Sequence, residues 1–457
     1  MTLDQYIDEH RQDLIEIAKR LCSIESVKTE PAAENAPFGD GCRRVLDEML
    51  SLCREAGFEI HDAQGYAGHA QMGEGEGLVG IMVHLDVVPV GDGWSSPPFE
   101  AAVVDGRLIA RGAQDNKGPA VAVFLAMKAI AAYEVPLKKR VRLIFGCDEE
   151  NGMKDLEYYF EHNEMPEIGF SPDAQYPVIN CEKHILHSIL RSDVKPSGLI
   201  KGIEAGTRFN VVPETATVYL SEPLDAARRR QAVEYAVQMG VQVDIMKDRL
   251  VVYGVSAHAS TPNEGVNAAQ HLLQLADRMR LAEGESRSAL QALAKLLKLE
   301  TNGAGLGMRF TDNVSGALTN NLGILKLDEE GLRAYLDMRC PVEKTKEELV
   351  SALENAAEQT GFGLEVANWQ EGIYVDSGSE LVQALLDAYH RQTGDEKFVL
   401  AIGGGTYARM MPGRAVAFGA RFPHEKDLSH QRDESVDVDS LLKSAKIFAH
   451  AIARLAG

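Results

Sequence analysis

Gly80-Ile81-Met82-Val83-His84-Leu85-Asp86-Val87-Val88-Pro89 starts as an apolar run and ends on an imidazole and a carboxylate. A run this short, entered from the glycine-rich segment Gly73–Gly77 and left through a proline, has the signature of a buried strand. Side chains two apart on a strand project to the same side, so His84 and Asp86 leave its end together. Ligands in open α/β sheets collect at the carboxyl ends of strands. A single His-x-Asp is weak on its own. It gains weight because further acidic positions follow at comparable strand ends.

Working outward, Arg111-Gly-Ala-Gln-Asp115-Asn-Lys-Gly118 reads as a turn, and Pro119–Ile130 as a helix with proline near its first turn. A strand over 141–146 runs into Cys147-Asp148-Glu149-Glu150, a helical stretch begins near 154, and Ile168-Gly-Phe-Ser-Pro-Asp173 follows. Strands alternating with helices predict an α/β domain with a mixed, largely parallel sheet flanked by helices. Upstream, 3–21 and 42–56 have helical spacing on either side of a polar loop at 29–40. From about 185 the character changes to strands at 185–192, 214–220 and 249–255 with helices at 223–239 and 266–280; strand–helix–strand patterns recur at 323–340, with a helix near 344–359. The expected organisation is therefore a first domain over 1–185, an inserted α+β lid domain of two lobes over 186–375, and the first domain resuming over 376–457. The resumed part holds a helix from Ser379, the turn Gly403–Gly405, a strand at 416–418 and a last helix from about 437.

The chain has 457 residues, more than one ordinary core accommodates. Its formal charge of −21 speaks against nucleic acid or an anionic membrane as partner. The N-terminal stretch lacks a basic region followed by a long apolar core, and the longest apolar run, near Pro119–Met127, is far short of a membrane span. Six cysteines are scattered without paired short spacings, as reduced thiols are. These features together predict a soluble, cytoplasmic protein.

His84, Asp86, Asp115, Glu149, Glu150, Asp173 and His430 all end or follow apolar runs. Two imidazoles with several carboxylates suit Zn²⁺, Mn²⁺ or Co²⁺ better than a thiolate set would. A carboxylate bridging two cations is the usual two-metal hydrolytic arrangement. Such a site needs a free base as well, and Glu149-Glu150 can supply both a ligand and a base.

In this order, His84-Leu-Asp86-Val-Val-Pro, Gly112-Ala-Gln-Asp115-Asn-Lys-Gly, Asp148-Glu-Glu150-Asn-Gly, Ser171-Pro-Asp173 and His430-Gln-Arg-Asp-Glu434 resemble the M20 family of co-catalytic metallopeptidases over nearly the whole chain. Within it they look most like bacterial dipeptidases of the PepV type. The resemblance implies two divalent cations, Zn²⁺ first, with Mn²⁺ or Co²⁺ as alternatives. It implies that Asp115 bridges them, that His84 and Asp173 complete one site, and that Glu150 and His430 complete the other. Asp86 would orient His84, and Glu149 would activate water and then protonate the leaving amine. Phe209-Asn210-Val-Val-Pro213 resembles the segment whose Asn serves the oxyanion. Ser256-Ala-His258-Ala-Ser260 resembles the lid motif whose His reaches the active site, and Asp337-Met-Arg339-Cys-Pro341 the segment that grips the substrate's carboxylate.

Gly403-Gly404-Gly405-Thr406 is assigned to substrate carboxylate binding as a nest of backbone N–H groups. Arg432, ahead of Asp433-Glu434, departs from many relatives. The expected activity is hydrolysis of dipeptides with a free N-terminal amine. An N-acyl-amino-acid deacylase or desuccinylase of the same family is the alternative within hydrolases, and a metal-binding protein without activity the alternative outside them. The long insertion points to a monomer, since relatives with a single lid domain dimerise through it.

Overall fold

The computed structural model describes residues 2–457. The chain divides into two compact units: one takes in the chain up to Cys181 together with Ile373–Leu400 and Gly405–Gly457, the other Glu182–Gly372 and Ala401–Gly404. The crossings therefore lie at 181/182 and 372/373, with a further short excursion at 401–404 inside the part that the sequence reading assigns to the resumed first domain. At the first crossing the strand Val178–Glu182 is separated from His184–Ser192 by Lys183 alone.

The first unit is built on a nine-stranded mixed sheet. At its centre four neighbours are mutually parallel: Arg140–Gly146, Leu78–His84, Ile168–Ser171 and Ala415–Ala417. The antiparallel hairpin of Glu59–Ala63 and Ala67–Met72 extends one side. Every residue of Leu78–His84 is buried, as expected for a parallel strand covered on both faces. Val79, Ile81 and Val83 enter one core, while Met82 enters another with Ile144, Tyr159 and Tyr407. His84, in phase with Met82, leaves the strand on that second face. The helix Lys117–Ala132 is buried almost all round, including Lys117, Phe124 and Ile130. Such a helix belongs inside a domain and not on its surface. The last helix, Val438–Ala456, is capped by Asp437, whose carboxylate accepts from the N–H of Asp439 and Ser440.

Where a single helix over 3–21 is expected, the structure has two, Leu3–Glu9 and Arg11–Cys22. The ring of His10 lies against Tyr6 and its Nδ1 takes the Tyr6 carbonyl at 2.8 Å, so a side chain competes with the backbone at that carbonyl. The sequence reading also missed the 59–72 hairpin and the helix Gly284–Leu297.

The second unit holds one antiparallel eight-stranded sheet. One half runs Gln242–Ile245, Arg249–Tyr253, Thr215–Leu220, Ile200–Ala205, and the other Thr319–Asp328, Gly331–Cys340, His184–Ser192, Gly363–Gln370. They meet through a short ladder, Ile203–Ala205 against Leu325–Leu327. The two lobes thus share a continuous sheet and a common core that takes in Leu186, Leu250, Leu272, Leu336 and Leu353.

Candidate active site

The three central strands that end side by side build the site. His84 pairs in register with Gly146, so the strand carrying His84 and the one leading to Cys147–Glu150 finish at the same level. Ile168–Ser171, parallel beside them, delivers Asp173 two residues on. Asp115 arrives on the turn before the helix Lys117–Ala132, and His430 on the segment before Ser435–Asp437.

The side chains converge. One oxygen of Asp115 lies 2.8 Å from His84 Nε2, and the other 3.1 Å from His430 Nε2. His430 Nε2 is also 2.9 Å from Glu150 Oε1, and His84 Nε2 is 3.7 Å from Asp173 Oδ2. Two groups have the spacing to hold a cation: His84 with Glu149 and Asp173, and His84 with Asp115 and Glu150. All seven positions singled out in this unit by the sequence stand in one neighbourhood. The His84 ring is oriented chiefly by the backbone: its Nδ1 is 3.0 Å from the Asp86 carbonyl oxygen and 3.5 Å from the Asp86 carboxylate. The carboxylate itself accepts from the backbone N–H of Glu149 and Glu150.

Asn210, His258, Arg339 and Gly404 belong to the second unit. The exposed segment at Asn210 is pinned by Asn321, whose amide donates to the carbonyls of Phe209 and Val211. His258 bridges to Val211, beyond a strand that ends at Tyr253, and its Nδ1 lies 2.7 Å from Ser260 Oγ. Arg339, buried, donates twice to Asp337 and once, from Nη1, to the Gly403 carbonyl at 2.6 Å. Among the described residues, the glycines with left-handed φ do not include 403, 404 or 405. The alternation that makes an anion nest is therefore not what they supply. Close approach is: a Cβ on Gly403 would stand 2.8 Å from that of Ser260, and one on Gly405 would stand 2.4 Å from Arg409 Nε. Thr406 caps the short helical turn Tyr407–Met410, accepting from Ala408 N–H.

Residues 80–454 match Peptidase family M20/M25/M40. The chain belongs to that family. It is 36% identical to the Bacillus subtilis (strain 168) protein named "Putative dipeptidase YtjP", the alignment covering 98% of each. Among solved structures it resembles human carnosine dipeptidase 1, with TM-score 0.59 and 16% identity over 99% of this chain and 98% of the other. It likewise resembles the aminoacylhistidine dipeptidase of Vibrio alginolyticus, with TM-score 0.59 and 15% identity over 97% and 96%. The last two likenesses establish the fold, and the protein is a hydrolase of the M20 metallopeptidases.

In this M20 chain several residues to which the sequence reading gave no role hold the site together. Glu434 is fully buried; one of its oxygens accepts from the backbone N–H of Gln114 and Asp115, the other from Gly112 N–H and Arg111. It thereby fixes the turn that presents Asp115. Asn116 donates to the Pro172 carbonyl and to Asp173 Oδ1, placing the Asp173 carboxylate. Asp433, beside the unexplained Arg432, takes both the N–H and hydroxyl of Ser95, tying the loop at 91–99 to the His430 segment. Their common signal in the sequence is only nearness to a motif, since most of their contacts are to backbone.

The donor set fits divalent cations. Burial, reinforced by Asp173 and the other carboxylates, pushes Glu149 well above the ordinary range. Burial and the Asp115 charge push Asp173 up to about 7 against the pull of His84, and raise Glu150 against that of His430. Against the cost of burying its ring, the Asp115 and Glu150 carboxylates push His430 up to about 11. Carboxylates crowded out of water with only two imidazoles to balance them are what positive charge relieves.

Proposed function

We propose that this M20 hydrolase is a dipeptidase that acts on dipeptides with a free N-terminal amine, using two divalent cations, Zn²⁺ first and Mn²⁺ or Co²⁺ as alternatives. One observation carries the reading: Asp115 turns one oxygen to each of two histidines, as a carboxylate shared between two metals would. The full-length likeness to the B. subtilis protein supports the substrate class. His84 and Asp173 would hold one cation, Glu150 and His430 the other, and Asp115 both. When bound, such ions act as Lewis acids on a carbonyl and make water more acidic.

Glu149 is the base: its carboxylate lies close to His84 and Asp173, and it stands outside the five ligands assigned here. It takes a proton from the attacking water and passes it to the leaving amine. Asp86 holds the backbone from which Glu149 and Glu150 project. From the second unit, Asn210 and His258 would serve the oxyanion and Arg339 the substrate's carboxylate, to which Gly404, Gly405 and Thr406 are assigned as well. Alanine at His258 should then lower kcat by about 10²–10³-fold with both cations retained. The protein would work in the cytoplasm on small peptides, with neither nucleic acid nor membrane as partner.

The deciding experiment compares metal-loaded protein on a dipeptide and on its N-acetylated form. Turnover of the free amine alone is expected; turnover of the acetylated form alone would make it a deacylase, and turnover of neither a metal binder. Glu149→Ala should keep both metals and lose about 10²–10⁴-fold in kcat.

A further inference from the structure

Four consecutive backbone N–H groups, of Cys147, Asp148, Glu149 and Glu150, end on two carboxylates. Asp155 Oδ2 accepts from Cys147 N–H at 2.5 Å and from Asp148 N–H at 2.7 Å. Asp86 accepts from Glu149 N–H at 3.3 Å and from Glu150 N–H at 3.2 Å. Both aspartates are fully buried. The two oxygens of Asp86 face the turn from the His84 side. Asp155 faces it from the helix Lys154–His162, where its second oxygen accepts from Leu156 N–H at 2.7 Å.

A third donor to Oδ2 completes Asp155. The buried Tyr407 gives its phenolic hydroxyl to the same oxygen that takes the Cys147 and Asp148 amides. Its ring stands edge-on to His84, centroids 6.2 Å apart. Space for that hydroxyl exists because position 146 is glycine: a Cβ there would lie 1.9 Å from Tyr407 Oη and 2.4 Å from Asp155 Oδ2. The strand Arg140–Gly146 thus ends on the one residue type that admits the phenol.

We propose that Asp155 and Tyr407 are a positioning pair for Glu149, a claim that rests on reading Glu149 as the base. Glu149 and Glu150 are adjacent and must do different jobs, so the rotation of their turn decides which carboxylate faces water. Asp86 alone holds the two amides of the glutamates themselves. Asp155 holds the two amides before them, and the tyrosine hydroxyl fixes the orientation of the Asp155 carboxylate. Freeing one end of the turn would let Glu149 swing by a fraction of an ångström, enough to matter for proton transfer.

Tyr407→Phe tests this, because it keeps the buried ring and deletes only the hydroxyl. The variant should fold, bind both equivalents of Zn²⁺ and keep KM, while kcat falls about 10-fold, short of the 10²-fold that a 1 Å misplacement can cost. Amide hydrogen exchange at Cys147 and Asp148 should quicken. Asp155→Asn should show the same separation of kcat from KM. In a Glu149→Ala background, Tyr407→Phe should cost nothing further, because the residue it positions is gone. Wild-type kcat in Tyr407→Phe would overturn the proposal, as would an equal further loss in the Glu149→Ala background, which marks a merely structural role. Wild-type turnover in Glu149→Ala alone would instead remove the base assignment, and the pair's purpose with it.

Discussion

At the scale of single residues, Asp115 is the position on which most depends, since His84 and His430 each stand within about 3 Å of a different one of its oxygens. Asp115→Ala should therefore abolish both equivalents of bound metal in equilibrium dialysis, whereas Glu150→Ala should weaken only one. Retention of one tight equivalent by Asp115→Ala would end the bridging assignment. Glu434→Gln sets an amide donor against backbone N–H groups at the turn that carries Asp115. It should lower metal affinity by about 10–100-fold, as supporting partners of ligands commonly do. His84, Asp115 and Glu150 were legible in the sequence because a polar residue closing an apolar run is a visible event. Glu434, Asn116 and Asp155 were not, because their contacts are largely with backbone groups that every residue has.

At the scale of elements, the hairpin Glu59–Ala63 and Ala67–Met72 was illegible because Ile60 is its one β-branched residue, and it carries a measurable consequence. His69, buried, accepts the Tyr159 hydroxyl at 2.6 Å on Nδ1, and Arg142 donates to that same hydroxyl. Burial, with the Arg142 charge behind it, pushes His69 down to about 3 from an ordinary 6.5. The unfolded chain therefore takes up a proton here before the folded one does. The stability that neutral His69 secures is complete above pH 6.5 and is lost as pH falls towards about 3, by up to about 1.4 kcal/mol per pH unit. His69→Gln, which keeps an acceptor and cannot titrate, should show a smaller drop in Tm between neutral pH and about pH 5 than the wild type. Equal drops would mean that His69 is protonated in the folded state. By contrast the parallel strands were plain in the sequence, since burial on both faces leaves an unbroken apolar run such as Leu78–Val83.

At the scale of the whole molecule, no described helix is long and apolar enough to cross a membrane. The excess of 68 acidic over 47 basic residues repels copies of the chain from one another and from polyanions. We expect a monomer, and sedimentation at micromolar protein checks it. A stable dimer would overturn that, and Val233 and Val237, 56% and 79% exposed on the helix Ala226–Met239, would be the first place to look for its contact. The division into an α/β unit and an inserted one was legible from the change in strand and helix rhythm. The return of 401–404 to the second unit was not, since four residues carry no rhythm.

The sheet of the first unit interleaves chain from both sides of the insertion, and this orders events during synthesis. Ala415–Ala417 is the parallel neighbour of Ile168–Ser171, yet roughly 240 residues separate them. At about 5–20 residues per second, a ribosome needs roughly 10–50 s to deliver the later strand after the earlier one. Through that interval Ile168–Ser171 has an open edge, the feature through which nascent chains pair wrongly. His430 emerges later still, after the strand Ala415–Ala417. A chain released by a stalled ribosome before residue 430 lacks one of the two histidines that face Asp115 and, on the ligand assignment proposed above, has one cation site incomplete.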